Sequence, residues 1–581
     1  MRTMVSLLLV LAICAPTLAA QDQQTQVQQS FDILGQIVTK VIEREHQEID
    51  TIRKYSPLVE TYVQKVSNGK ANQESWEPDG DRYFMGRADF SKGFNLEPIE
   101  ARKDTRVRQT FADINRFFGI GIDYLPKGFL QMIYPDSNGL DKQTYNLAYV
   151  RREFLGEVRT LVFDVTPKAK AGKGRFMGRI WVEDEAFTIV RFNGSFTGNT
   201  QSFRKFHFDS WRVNAGPNLW LPAFIYSEEN GPKYFLTGAV WSKAQTRLWG
   251  YNIGHAGEEQ ELSRVLIESR DLVVDNSQQN TDMTPLQQKR AWDLQAQDNV
   301  MERLQREGLI APKGEVDKIL ETVVNNLEVT NNLNFEPEVR CRVLLTSTME
   351  SFAIGRTIVL SRGLIDVLPD EASLAAMIAK ELGHVIVDEK TAPGFAFYDW
   401  MIRFDESKTF KHFDFDRGVD EDAKASAKAA ELLSNSPYKG QLQTAEMFIA
   451  ELQKRSKEIP NLISPRLGGS ILVRPSVAPD TEDKPGANQV VAMPLGGRVK
   501  MDPWDDTLNM LKSKPLGTLT EHDKMPFEVT PFVIYLTRVG SEPKTSEYSA
   551  RPQQESRAQV PHAGSSSGEI RFNGKVGSER P

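Results

Sequence analysis

The sequence predicts an α+β protein, with an antiparallel β-sheet domain followed by a mainly helical domain. One observation carries the first half. Short β-branched and aromatic runs recur at Thr160–Val165, Phe176–Val182, Phe187–Phe192, Phe203–Trp211, Leu219–Tyr226 and Tyr234–Trp241, separated by Pro, Gly, Asn and Asp. Runs so short and evenly spaced favour a meander over βαβ units. Two helical stripes carry the second half: Val316, Ile319, Leu320, Val323, Val324 and Leu327, then Leu374, Ala375, Ile378 and Leu382.

In chain order, Arg2, the apolar run Val5–Ile13 and the small residues ending at Ala20 read as a secretory signal peptide over residues 1–20. The run falls short of the ~20 apolar residues that span a membrane. A lipoprotein reading through Cys14 meets bulky Ile13 where a small residue is wanted. The expectation is a protein exported to the periplasm or beyond the cell, soluble once the signal is cleaved. Cys341 would then be the single cysteine, a buried thiol without a disulfide partner. A net charge of −7 with no long basic run argues against nucleic acid as a partner.

Residues 21–103 read as a helical segment. Phe31, Leu34, Val38, Val41, Ile42, Ile49 and Ile52 keep helical spacing up to Pro57, and Leu58, Tyr62 and Val66 are expected to resume a second helix. Packing on the next domain is the expected role of this face, and a partner-binding coiled coil is the alternative. Residues 104–255 form the β domain and 256–312 a helical connector that is rich in Gln, Arg and Glu. A compact domain spans 313–474. In it Val339–Leu345 and Phe352–Leu360 read as strands, and a helix begins near Asp370, whose side chain can cap it after Pro369. Residues 475–540 are an extension, Pro-rich to Asn488 and then apolar enough to fold against the body. Residues 541–581 are a Ser-, Gly-, Pro- and Lys/Arg-rich tail expected to be disordered.

The compact domain carries an ordered set of motifs: Ser351-Phe352-Ala353, Leu360-Ser361-Arg362-Gly363-Leu364, Asp370-Glu371, Leu374-Ala375-Ala376 and Glu381-Leu382-Gly383-His384-Val385. In that order, from Val316 to Pro465, the segment resembles the core of the CAAX-prenyl-protease-type gluzincin zinc metallopeptidases. The resemblance implies a helix bearing His-Glu-x-x-His, whose histidines four residues apart share one face and reach a single zinc ion. The zinc activates a water, and the glutamate takes its proton. Carried onto this chain, Glu381 stands at the general-base position and His384 at the second metal ligand. Asp420, in Asp420-Glu421-Asp422-Ala423-Lys424, stands at the third, with Asp422 offered if the register slips by two. The edge strand Phe352, Ala353 and Ile354 would hold substrate.

The departures are pointed. Lys380 occupies the first-ligand position, an aspartate replaces the family's glutamate, Lys424 replaces an aspartate, and Ser464-Pro465 stands where relatives carry His-Pro. An ammonium about 4 Å from a divalent ion is repelled by roughly 8 kcal/mol at an effective dielectric near 20. A neutral lysine ligand costs about 4.6 kcal/mol to deprotonate at pH 7, against roughly 10–16 kcal/mol gained by structural zinc sites. The site therefore reads as degenerate, with Lys380 donating to Asp420 or Glu381 in place of the metal and no cofactor. The expected function is a non-catalytic scaffold or assembly factor of the envelope, binding an extended peptide or an envelope protein. One alternative is an active metalloendopeptidase using zinc through His384, Asp420 and an unusual third ligand. A second comes from Gly178–Val182 and Phe187–Arg191, which resemble outer-membrane lipoprotein carriers and imply an open sheet able to hold lipid. The remaining histidines, His46, His207, His255, His412, His522 and His562, show no metal-ligand spacing. His412 sits in an aromatic stretch that reads as packing.

Overall fold

In the computed structural model the described residues are 33–66, 78–91, 93–99, 129–197, 205–230, 241–251, 284–387, 396, 413, 415, 417–469, 471–472, 499–501, 506–510 and 529–538. The signal peptide, the 541–581 tail, the Pro-rich 475–488 stretch and the histidines at 255, 412, 522 and 562 lie outside them. The fold is α+β, with a large antiparallel sheet in the N-terminal half and a mainly helical region with a small sheet after it.

Helix α1 (residues 33–52) follows the predicted stripe and buries Val41, Ile49 and Ile52. Beyond Pro57 the chain extends. The expected second helix is instead strand β1 (Leu58–Val66), followed by β2 (Pro78–Asp89) and β3 (Asn95–Pro98). The strands β4 (Tyr145–Leu155), β5 (Val158–Pro167), β6 (Phe176–Glu183), β7 (Ile189–Phe196), β8 (Lys205–Gly216), β9 (Leu219–Asn230) and β10 (Trp241–Trp249) complete the meander. The 10-stranded order is β3-β2-β1-β10-β9-β8-β7-β6-β5-β4, so the sheet runs across the boundary drawn at 103/104.

Side chains alternate between the two faces, as the period of two demands. Phe163, Ile180, Phe192 and Phe208 join α1 and residues 129–134 in one buried cluster. Val162, Trp181, Trp211, Trp220 and Phe224 point the other way, into a cluster with Leu536 and Phe532. The C-terminal extension therefore folds against the body here. Phe532 packs 5.0 Å from Phe224 between ring centroids, and the Val529 N–H donates to Gln64 Oε1 at 2.8 Å. On the α1 side, Arg212 and Glu45 form a fully buried bidentate pair, both bonds 2.7 Å.

The connector holds helix α2 (Pro285–Arg306), opened by a Thr284–Gln287 capping box, and α3 (Glu315–Thr330) follows. A 3-stranded sheet in the order β11-β13-β12 comes next. Strand β11 is Arg340–Leu344, β12 is Ser351–Ile354 and β13 is Thr357–Ser361. The single strand expected over Phe352–Leu360 is thus a hairpin, turned at Gly355, whose φ of +55° suits a residue without a side chain. Cys341 on β11 is buried and free. Helices α4 (Arg362–Val367) and α5 (Glu371–Val387) pack on this sheet, and α6 (Val419–Ser434) and α7 (Leu442–Arg455) pack on α5. Asp370 caps α5 as expected, accepting the Ser373 N–H at 2.8 Å. The core of this region also takes in Leu58, Tyr62, Tyr226 and Trp249 from the large sheet. No helix among the described residues is long and apolar enough to cross a membrane.

Candidate functional site

Helix α5 is buried from Ala372 to Val385, so the polar residues Lys380, Glu381 and His384 have all been taken out of water. Burying three ionisable groups on one helix is costly unless each finds a partner. The partners come from two neighbours. Helix α6 lies so close to α5 that a Cβ on Gly383 would fall 2.3 Å from the Ala425 carbonyl oxygen. Gly383 is therefore the residue that lets the two backbones meet. That approach carries Asp422 onto the site: its Oδ1 accepts from Lys380 Nζ at 3.0 Å and lies 3.1 Å from His384 Nε2. From the other side β12 delivers Ser351, whose Oγ–H donates to Glu381 Oε1 at 2.6 Å.

The sequence offered Asp420, with Asp422 as the alternative, and the structure brings only Asp422 to Lys380 and His384. Asp420 is exposed on α6, whereas Asp422 shares a face with the buried Ala425, Ser426, Ala429 and Leu433. Of the two carboxylates considered, Asp422 is the one that meets Lys380 and His384. Burial pushes the Asp422 carboxyl up, but the hydrogen bond from His384 and the charge and hydrogen bond of Lys380 outweigh it, and its pKa lies below the usual aspartate value.

These donors do not suit zinc. Position 380 holds a primary amine bonded to the same carboxylate oxygen that His384 meets, and the adjacent Glu381 is committed to Ser351. Among the described residues no group of three or more His, Cys, Asp or Glu is arranged to hold a metal ion.

The strand expected to hold substrate runs beside this cluster. Phe352, Ala353 and Ile354 are buried. Phe352 stacks on Phe415 with centroids 4.8 Å apart and planes at 10°, and Phe413 stacks on Phe415 in turn. Strand β12 pairs with β13 through one edge, leaving Ser351 and Ala353 facing outward. Their carbonyls are not open: Ser351 accepts the Gly469 N–H at 3.2 Å, and Ala353 accepts Arg417 Nη2 at 3.2 Å. Glu350, just before the strand, is fully buried, and its Oε2 accepts three successive backbone N–H groups, from Arg466, Leu467 and Gly468, at 2.9, 2.7 and 3.0 Å. Sequence reasoning missed Glu350, Arg417 and the 466–469 segment as parts of this site. The one signal for the last in the sequence is the Gly468-Gly469 pair.

No family model matches the chain, and no curated protein matches it. Among solved structures, a DUF1329 family protein from Desulfovibrio piger matches 38% of this chain and 95% of that chain at 11% identity, with a TM-score of 0.19.

Proposed function

We propose that this chain is an exported, non-catalytic scaffold of the cell envelope, built on a peptidase-like domain in which Lys380 stands where a zinc peptidase carries its ion. One observation carries the reading: the Lys380 ammonium bonds to Asp422 Oδ1, the same oxygen that meets His384. A single positive charge there balances a half-buried carboxylate without metal, and the helix keeps its packing. The domain's work is then to hold an extended polypeptide along β12, a mode that needs only backbone hydrogen bonds and side-chain pockets. The chain's own Gly469 supports this, since it already makes an antiparallel bridge with Ser351.

Metal content separates this function from its rival, an active zinc metalloendopeptidase. The purified full chain, dialysed and analysed by mass spectrometry of its metals, is expected to carry far less than one zinc per molecule. One tightly held zinc per chain, together with peptide cleavage abolished by a chelator, would overturn the scaffold.

A further inference from the structure

We propose that residues 466–469 are a built-in occupant of the β12 edge, so that the chain closes its own peptide site and opens it only when this segment is displaced. The inference rests on the peptide-holding reading above and adds its regulation and the kind of segment the edge accepts.

The segment is held from two sides. Toward the strand, the Gly469 N–H reaches the Ser351 carbonyl at 3.2 Å in an antiparallel bridge. This is the contact an incoming extended peptide would make first. Gly468 crosses the strand at a distance that only glycine tolerates: a Cβ there would fall 2.5 Å from Ser351 O and 2.7 Å from Phe352 Cδ1. Away from the strand, the three successive N–H groups of residues 466–468 close around the Glu350 carboxylate, whose other oxygen accepts Thr348 Oγ at 2.6 Å. The Leu467 carbonyl accepts the Phe415 N–H at 2.8 Å, which ties the segment to the ring that stacks on Phe352.

The occupation is partial. At Ser351 the outward carbonyl has a backbone donor, but at Ala353 the donor is the side chain of Arg417. An extended peptide pairing through both residues replaces that side chain with a second backbone bond, so it can compete. The close crossing at Gly468 defines what competes: an extended segment with glycine opposite the Ser351–Phe352 junction.

The test uses the full chain and a fluorescent synthetic peptide copying residues 463–472, with anisotropy as the readout. Gly468→Val forces the resident segment off the strand. Glu350→Gln loosens it without a clash and serves where the valine variant fails to fold, with near-UV circular dichroism reporting folding. Wild type is expected to bind the peptide about tenfold or more weakly than either variant, the factor that applies when the open form is about one molecule in ten. A peptide carrying valine in place of its Gly468 is expected to bind none of them. Equal affinity for wild type and folded variants would overturn the self-closure and leave the peptide-holding reading intact. No binding to any folded form would overturn both.

Discussion

Lys380→Met isolates the charge at the centre of the site. The change keeps an unbranched side chain of similar length and removes the ammonium that lies 3.0 Å from Asp422 Oδ1. At an effective dielectric near 20, unit charges at that separation attract by roughly 5–6 kcal/mol before desolvation. Removing one partner of a fully buried pair typically costs about 3–5 kcal/mol, because the other charge stays behind without it. Lys380 is nearly sealed at 5% side-chain exposure, but Asp422 keeps 18%, so water screens part of the orphaned charge. The expected loss is about 2–4 kcal/mol, read as a lower denaturant midpoint in guanidinium unfolding followed by far-UV circular dichroism. Lys380→Met combined with Asp422→Leu is expected to cost less than the lysine change alone, since no carboxylate is then left unbalanced. If Lys380→Met shifts stability by less than about 0.5 kcal/mol, the range of an ordinary surface change, the lysine is not balancing the carboxylate and the argument fails.

Other consequences are open to measurement. Lys380→His replaces the amine by an imidazole four residues before His384 and is expected to bind zinc more tightly than wild type, measured by calorimetric titration with zinc. Gly383→Ala drives a methyl group into the Ala425 carbonyl, so it is expected to cost about 1–3 kcal/mol as an overpacked contact in the same unfolding assay. Arg212→Met leaves Glu45 charged and sealed, and is expected to lower stability by about 3–5 kcal/mol, more than the double change with Glu45→Leu. Glu48 gives a pH signature: burial raises its pKa, against the charges of Arg212 and Arg44, from the ordinary 4.5 to about 7. A carboxyl whose pKa is higher folded than unfolded stabilises the fold below about pH 4.5 and loses that contribution as pH rises through 7, roughly 3 kcal/mol in all. Glu48→Gln is expected to flatten stability over this window, and an unchanged slope would discard the assignment.

The meander was legible because alternating runs punctuated by turn residues have few other readings. Strand β1 was not, and the reason is arithmetic. Leu58, Tyr62 and Val66 are four apart, a spacing that fits one helical face but is also a multiple of two, so it fits one strand face equally well. The intervening Val59 and Val63 settle the matter only once it is known that they are buried too, on the opposite face. The exchange of Asp420 for Asp422 has a similar origin. Motif alignment weighs residue type, whereas the fold asks which carboxylate shares a helical face with Ala425 and Ala429. The closed edge of β12 was out of reach, since the segment that covers it lies more than a hundred positions away and its two glycines have many uses.

The large sheet has a further bearing on how the molecule is made. Its Trp- and Phe-rich outer face is finished by residues near 530, with Gln245 on β10 donating to the Thr530 carbonyl 285 positions downstream at 2.8 Å. While the polypeptide is being synthesised, that aromatic surface stays wet until residues near 530 have emerged. A product that stops short of this stretch leaves the aromatic flank exposed and prone to stick to other chains. Residues 529–538 thereby close the aromatic face.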